Sequence, residues 1–251
     1  MRISASRIDC YLQCPLKYKF RYIDQIEPDA IQPGLAFGSS VHRSIAHFYQ
    51  RLMAGEILSI EQLHTAFQLD WEVAQTVPIA WNGQAPDEME KQGCDMLTAY
   101  MAATPDPLPP LAVEKEINVP LVNLNTGEIC KDVSLFGYID RIERGNAPVE
   151  LKTAARSWSQ MQAEQYLQMT ANSYALAYEA LADAVDGLFE VIVKNKAPRI
   201  QHLVTRRTVH DFDRWFRTVV QIIESIVDER FYPNPGFLCP SCDYATECSS
   251  W

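Results

Sequence analysis

Residues 133–153, VSLFGYIDRIERGNAPVELKT, show the alternation of apolar and polar positions that is typical of neighbouring strands. Side chains along a strand point to opposite faces in turn, so Phe136, Tyr138, Asp140 and Ile142 share one face of the first predicted strand. The other members of that face are aromatic or aliphatic. The pattern therefore predicts that Asp140 lies among apolar side chains rather than on a solvated surface.

Residues 144–146, Arg-Gly-Asn, predict the turn between the two strands, because Gly and Asn tolerate positive φ. If these three residues form the loop, Asp140 lies directly opposite Glu150. Glu150 and Lys152 share one face of the second strand. Two carboxylates this close are unfavourable unless a positive charge lies between them, so the spacing favours a bound divalent cation. A surface hairpin with solvated charges is the alternative.

Apolar residues at helical spacing predict helices on both sides of these strands. The predicted helices run from Ser4 or Ser6 to about Tyr22 with a break at Pro15, from Ser39 or Ser40 after a loop at 34–38, and over 59–77, 84–103, 159–182 and 208–230. Further strands are predicted at 111–122, 189–194 and 200–205, with a hairpin turn at 123–127. The helices within 55–104 are predicted to form an insertion packed on the core.

The composition is that of an ordinary globular protein, with 251 residues of which 47% are hydrophobic and 22% are charged. No apolar run reaches the length of about 18 residues that a membrane span requires. The first residues, MRISASRIDC, lack the apolar region of a signal peptide. We therefore expect a cytoplasmic protein with no membrane segment.

The net charge of −10 is evidence against a protein that coats nucleic acid through bulk electrostatics, because that mode of binding needs an excess of Lys and Arg. A nuclease with a local basic groove stays compatible with this charge. The chain contains no G-x4-G-K-[S/T] phosphate loop, so it is not a helicase motor. Lys17, Lys19 and Arg21 are candidates for phosphate contacts, with a solvated face as the alternative. Arg199, Arg206 and Arg207 are the remaining candidates.

Three cysteines fall within ten residues of the C-terminal tail, Cys239, Cys242 and Cys248. Seven cysteines in a chain without an export signal indicate reduced thiols rather than disulfides, so this cluster predicts a metal site. A tetrahedral metal or an iron–sulfur cluster needs a fourth ligand. Cys14 is the first candidate and Cys10 the second. Spacing alone does not distinguish zinc from iron–sulfur.

The spacing Asp-x9-Glu-x-Lys resembles the core of the PD-(D/E)XK nuclease superfamily, and GYIDRIE followed by PVELKT is similar to its RecB-type branch. The segment AFGSSVHRSI resembles the G-x-x-x-H element of that branch, which implies that His42 is a metal ligand. A lone His beside an apolar helix face is otherwise usually structural. Glu114, by contrast, is expected to be a solvated strand charge, with a supporting place at the site as the alternative.

Two further elements carry the resemblance. The segment QMTANSYALA is similar to the Q-x-x-x-Y element in which the Gln supports the site, although Asn172 stands at the Tyr position and Tyr174 follows two residues later. A Cys-Pro pair at Cys14 with the tail CPSCDYATEC resembles the iron–sulfur clasp of RecB-type nucleases such as AddB and the CRISPR-associated adaptation nuclease. The resemblance implies a [4Fe–4S] cluster held by Cys14 and the three tail cysteines.

The resemblance implies an α/β (α+β) fold, a restriction-endonuclease-like mixed sheet flanked by helices. A single domain spans 1–251, with the helical insertion at 55–104 and a clasp that joins Cys14 to 235–251. The implied reaction is hydrolysis of DNA phosphodiester bonds. Mg²⁺ or Mn²⁺ would be held by His42, Asp140, Glu150 and the carbonyl of Leu151, while Lys152 and Gln168 would complete the catalytic set.

The implied substrate is single-stranded DNA or a DNA end, cleaved exonucleolytically in recombination or repair, with a helicase or another repair or adaptation protein as a possible partner. A CRISPR adaptation nuclease is a close alternative. Two alternatives come from other classes. One is a non-catalytic DNA-binding or scaffold subunit of a helicase–nuclease complex, and the other is an interaction module stabilised by Zn²⁺ in the cysteine site.

Overall fold

A six-stranded mixed sheet forms the centre of the computed structural model, which describes residues 1–251. The strands are β1 (Arg2–Ile3), β2 (Ala112–Val122), β3 (Ile129–Glu143), β4 (Ala147–Ala154), β5 (Ala184–Val193) and β6 (Arg199–Thr208). Their order is β1-β3-β4-β5-β6, and β2 also pairs with β3. The pairs β1/β3 and β4/β5 are parallel and the others antiparallel, so the predicted mixed sheet is confirmed.

Nine α-helices surround the sheet, and two of them begin at a serine whose side chain caps the backbone together with a glutamine three residues on. They are α1 (Ala5–Gln13), α2 (Pro15–Tyr18), α3 (Pro33–Met53), α4 (Ile60–Ala74), α5 (Pro86–Ala103), α6 (Gln160–Glu164), α7 (Leu167–Ala180), α8 (Val209–Val227) and α9 (Ala245–Ser249). None of these helices combines the length and apolar character needed to cross a bilayer.

Apolar side chains form separate cores on the two faces of the sheet. Helices α1, α7 and α8 pack against β2 and β3 in the larger core, which includes Ile8, Tyr174 and Phe216. Helices α3, α4 and α5 pack against β4 and β5 in the second core. The neighbouring residues Val191 and Ile192 of β5 belong to different clusters, as the alternation of a strand buried on both faces requires.

Two predicted boundaries are wrong. The segment 34–38 is not a loop, because α3 already begins at Pro33. Proline is favourable in the first turn of a helix, since backbone N–H groups there have no partner within the helix and the missing N–H of proline costs no hydrogen bond. The predicted helix 159–182 is two helices, α6 and α7, separated at Gln165 and Tyr166. The break predicted at Pro15 is confirmed, since Cys14 is extended between α1 and α2.

We expect Gly93→Ala to destabilise the protein, because a Cβ at this buried position of α5 would lie 2.1 Å from Cζ of Phe67. Overpacking of this kind costs about 1–3 kcal/mol. The matched control is Gly34→Ala in α3, where an added Cβ meets nothing within 4 Å, so helix propensity raises the free energy of unfolding by roughly 0.5–1 kcal/mol. Urea denaturation measures both, and equal effects of the same sign would contradict the packing assignment.

Candidate active site

The β3–β4 hairpin presents the predicted carboxylates at the point where its two strands separate. Paired residues run from Arg141–Val149 to Glu143–Ala147, and residues 144–146 form the predicted turn. The same register would place Asp140 opposite Glu150, but the ladder ends one pair earlier. The backbone N–H of Leu151 instead donates to Oδ2 of Asp140 at 2.8 Å.

Helix α3 brings His42 to the hairpin. Its Nε2 lies 2.9 Å from Oδ2 of Asp140, and its Nδ1 lies 3.4 Å from Oε1 of Glu114. Gly38 lies one turn earlier in α3, where a Cβ would come within 3.2 Å of Oγ1 of Thr153 in β4. The glycine of the G-x-x-x-H segment therefore permits the close packing of α3 on β4 that carries His42 to Asp140.

Glu114 is not the solvated strand charge expected from the sequence. It occupies a left-handed conformation in β2 with φ of 50°, between residues that pair with β3 on either side of Asp140. Its Oε1 is buried and has no hydrogen-bond partner. Ligand atoms of His42, Glu114 and Asp140 all lie within 4.8 Å of one another, which is the spacing of a metal-binding group. The left-handed conformation of Glu114, where β2 leaves a gap in its pairing with β3, has no signal in the local sequence.

Glu150 is held from two sides. Nζ of Lys152 lies 2.7 Å from its Oε1, and Nδ2 of Asn172 donates to its Oε2 at 3.1 Å. Nε2 of Gln168 donates in turn to Oδ1 of Asn172 at 2.9 Å. Gln168 therefore reaches Glu150 through Asn172, the residue that departs from the Q-x-x-x-Y pattern.

Tyr174 lies away from the site, because its hydroxyl binds the backbone of Val122 and its ring belongs to the core below α8. Tyr166, which the sequence did not single out, faces the site instead. Its ring centroid lies 5.2 Å from Nζ of Lys152, at the junction between α6 and α7. The break between these helices is what places the ring there.

The predicted catalytic side chains line one cleft of about 500 Å³. Asp140, Glu150, Lys152 and Gln168 form part of its wall. Asp140 also borders a smaller cavity of about 10 Å³, on the scale of a single water molecule, that His42 and Glu114 line. Asp140 thus borders both the small cavity and the larger cleft.

The residue after Asp140 is buried on the opposite side of β3. Arg141 donates to Glu190 of β5 through Nη2 at 2.7 Å and Nη1 at 3.1 Å. The hydroxyl of Tyr100 donates to the same carboxylate at 2.6 Å, and the ring of Tyr49 lies 4.1 Å from the guanidinium carbon. These contacts connect β3 and β5 with α3 and α5 directly behind the site.

Burial and neighbouring charges set the protonation of the site. Burial raises the pKa of Asp140, but the hydrogen bond and charge of His42 lower it more, so the pKa lies below its ordinary value. Burial lowers the pKa of His42, and the contact with Asp140 together with the charge of Glu114 outweighs this, so the pKa is raised. An ion pair between His42 and Asp140 is therefore favoured in the metal-free protein.

For Glu150, the effects that raise the pKa outweigh those that lower it. Burial and the charge of Asp140 raise the pKa of Glu150 to about 7, although Lys152 lowers it in part. Burial lowers the pKa of Lys152, but the charge of Glu150 outweighs it, so Lys152 stays protonated. Asp140 and Glu150 are therefore two like charges that disfavour each other, and a cation bound between them would compensate both.

Cys14, Cys239, Cys242 and Cys248 line one cavity of about 730 Å³ between the start of α2 and the tail. The backbone N–H of Asn234 donates to Sγ of Cys14 at 3.4 Å, and the backbone N–H of Gly236 donates to Sγ of Cys239 at 3.3 Å. None of the cysteines forms a disulfide. Cys10, the second candidate for the fourth ligand, does not line this cavity, because its side chain is buried in the core under α1.

The predicted phosphate contacts are not at the cleft. Arg207 is wrong as a candidate because it is only 3% exposed and donates to Thr170 and to the carbonyl of Ala163. The other candidates reach solvent, but none of them lines the cleft: Lys17, Lys19, Arg21, Arg199 and Arg206.

A mixed sheet that brings His42, Asp140 and a Glu-x-Lys pair together defines the class of metal-dependent nucleases. The sequence model of the PD-(D/E)XK nuclease superfamily matches residues 2–249, and the chain belongs to that superfamily. A candidate exonuclease from Eubacterium rectale has the same fold, with a TM-score of 0.57 at 9% identity over 97% of this chain and 87% of the other.

Two other solved structures are less similar. The protein SSO0001 has a TM-score of 0.37 at 15% identity over 93% of both chains. Rai1 from Scheffersomyces stipitis has a TM-score of 0.26 at 13% identity, covering 87% of this chain and 67% of the other. Similarity at this level carries no further argument. No curated protein sequence matches the chain.

We expect the free energy of unfolding of the chelated, metal-free protein to fall as pH rises from about 4.5 to about 7. The folded pKa of Glu150 is raised, so the unfolded state loses its proton first and gains stability over this range. The contribution is at most about 3 kcal/mol. Glu150→Gln removes it, and the exposed Glu116→Gln is the control. Urea titrations give the free energy of unfolding at pH 5 and pH 8, and the same difference between the two pH values in wild type and Glu150→Gln would contradict the assignment.

Proposed function

We propose that this metal-dependent nuclease is an exonuclease of the RecB-type branch that acts on single-stranded DNA or DNA ends. The observation that carries the proposal is the convergence of Asp140, Glu150 and Lys152 on one cleft, with His42 bound to Asp140. These side chains occur along the chain in the order that the resemblance to the RecB-type branch implies. An intact set of this kind favours an enzyme over a non-catalytic scaffold subunit.

The donor set fits a hard divalent cation. His42, Asp140, Glu150 and the carbonyl of Leu151 would hold Mg²⁺ or Mn²⁺, and the imidazole favours Mn²⁺. The buried Oε1 of Glu114 lacks a hydrogen-bond partner, so the metal-free protein leaves acceptor capacity unused beside His42. When bound, the cation supplies positive charge that acidifies water and offsets the charge of the scissile phosphate.

Lys152 supplies a fixed positive charge on the cleft side of Glu150. Its contact with Glu150 and the ring of Tyr166 behind it restrict where the ammonium can point. A protonated amine in this position orients the attacking water and stabilises the negative charge that develops on the phosphate. Gln168 and Asn172 hold Glu150 in the rotamer that leaves its other oxygen facing Lys152.

Glu114 completes the orientation of His42. Its Oε1 lies 3.4 Å from Nδ1 without a hydrogen bond, while Nε2 faces Asp140. A small shift of either side chain would form this bond, and a carboxylate bound to the far nitrogen of an imidazole fixes the ring and raises its basicity as a ligand. Glu114 therefore serves as a positioning residue for His42 in this proposal.

The four-cysteine cavity fits a [4Fe–4S] cluster in the same branch. Cys14, Cys239, Cys242 and Cys248 are the ligands, and the backbone N–H groups aimed at two sulfurs are the donors that stabilise thiolate charge. Zn²⁺ is the alternative occupant. In either case the site is structural, because it binds the first helices to the tail.

The physiological setting follows from the branch. The substrate is DNA, and the pathway is recombination or repair in the cytoplasm, together with a helicase or a comparable partner protein. A CRISPR adaptation nuclease would use the same catalytic set and clasp, so it stays the second candidate within the branch.

Lys152→Ala is expected to lower the rate of DNA degradation by at least about 100-fold, because it removes the cation that stabilises developing charge. Anaerobically purified protein is incubated with end-labelled single- and double-stranded DNA and Mn²⁺, and products are resolved on gels. Lys196→Ala, an exposed lysine on a loop, is the matched control and keeps full activity. Equal degradation by wild type and Lys152→Ala, or none by either, would remove the catalytic assignment.

Cys242→Ser is expected to abolish a broad absorbance near roughly 400 nm in anaerobically purified protein and to lower its iron content. Cys130→Ser, on β3 outside the cavity, is the control and keeps both signals. A colourless wild-type protein that contains stoichiometric zinc would overturn the iron–sulfur assignment in favour of Zn²⁺.

A further inference from the structure

The wall of the cleft facing the carboxylates is built from the first residues of the chain. Arg2 lies in β1, which pairs in parallel with β3, and Arg7 lies in α1. Both side chains line the cavity of about 500 Å³ that contains Asp140 and Glu150. This pairing brings two guanidinium groups beside the catalytic side chains, although the sequence separates them by more than 130 residues.

Aromatic rings position the two guanidinium groups without neutralising them. The guanidinium carbon of Arg2 lies 3.8 Å from the ring centroid of Phe136, and that of Arg7 lies 4.9 Å from the centroid of Tyr22. Nη1 of Arg7 also donates to the carbonyl of Arg2 at 3.2 Å. Cation–π contacts restrict an arginine while leaving most of its N–H donors available.

Carboxylates offset these two charges less than they offset those of Arg206 and Arg230. The only carboxylate within 4.0 Å of the Arg2 guanidinium is that of Glu116, and both side chains are 57% exposed. Arg7 takes part in no ion pair. By contrast, Arg206 and Arg230 lie 2.8 Å and 2.6 Å from their acidic partners. In a protein of net charge −10, cations left uncompensated beside a nuclease site are informative.

An exposed aromatic ring lies on the same wall. Tyr138 is 47% exposed and packs edge-on against Phe136, with centroids 5.6 Å apart. Unpaired bases stack on exposed aromatic rings, whereas bases within a duplex are not accessible for this contact. The wall therefore combines phosphate-binding donors with a surface for a single base.

We infer that Arg2 and Arg7 form a subsite that binds the phosphodiester backbone of single-stranded DNA next to the scissile phosphate, with a neighbouring base against Tyr138. The inference rests on the proposed function for the identity of the ligand. Arg2 and Arg7 line the cleft, whereas none of the six basic residues predicted from the sequence as phosphate contacts does.

Binding and cleavage separate this subsite from the catalytic assignment. Fluorescence anisotropy measures binding of a labelled single-stranded oligonucleotide in EDTA, across a series of salt concentrations. The double variant Arg2→Ala/Arg7→Ala is expected to bind at least tenfold more weakly, with the slope of log K against log[salt] reduced by about 0.7 per arginine. Arg206→Ala and Arg230→Ala are matched controls and keep the wild-type affinity and slope.

Conservative variants distinguish the loss of a positive charge from a change in the folded structure. Arg2→Lys and Arg7→Lys keep the charge, so the salt slope stays at the wild-type value. In the nuclease assay the alanine variants of Arg2 and Arg7 raise KM, while kcat changes by less than about twofold. In the binding assay Tyr138→Ala weakens binding of single-stranded DNA but not of duplex DNA. Lys152→Ala, which tests the catalytic proposal, loses cleavage, and its remaining binding still depends on Arg2 and Arg7.

Unchanged affinity and salt slope in the double variant would overturn the subsite, as would a wild-type protein that binds no single-stranded oligonucleotide. A protein that binds through Arg2 and Arg7 but cleaves no DNA would instead remove the catalytic proposal and keep the subsite.

Discussion

Asp140 accepts hydrogen bonds from His42 and from the backbone of Leu151, and these contacts hold α3 against the diverging ends of β3 and β4. The site depends on this convergence, because each partner comes from a different element. The close approach of α3 at Gly38 makes it sterically possible, and the buried pair Arg141–Glu190 fixes β3 from behind. A carboxylate at this junction both connects the elements and faces the cleft.

The sequence predicted the features that depend on local periodicity and failed on those that depend on the arrangement of the sheet. Strand alternation and turn chemistry were sufficient to place Asp140 and Glu150 on a hairpin, and the fold class is confirmed. Glu114 was misjudged because its orientation depends on a left-handed backbone conformation and on the approach of α3, which strand alternation does not report. Arg207 was misjudged because an arginine in a polar strand gives no sign in the sequence of the buried acceptors that surround it.

Asn172 illustrates how a departure from a motif can preserve its physical role. A tyrosine at this position would present a hydroxyl, whereas the amide of Asn172 donates to Glu150 and accepts from Gln168 at the same time. The connection from helix α7 to the carboxylate is therefore kept with a shorter side chain. In the sequence alone, Asn172 counts against the Q-x-x-x-Y resemblance. A sequence pattern records residue types and not the hydrogen-bond donors and acceptors that they supply.

The cavity that gathers Cys14 with the three tail cysteines joins segments that lie far apart in the sequence. During synthesis Cys14 leaves the ribosome long before Cys239, so its thiol has no partners in this cavity until the later segment follows. A polypeptide truncated before Cys239 cannot form the cavity, and its first helices then lack their contacts with the tail. Because segments that are not held by tertiary contacts are preferred sites of proteolysis, such a truncation exposes the first helices to cleavage.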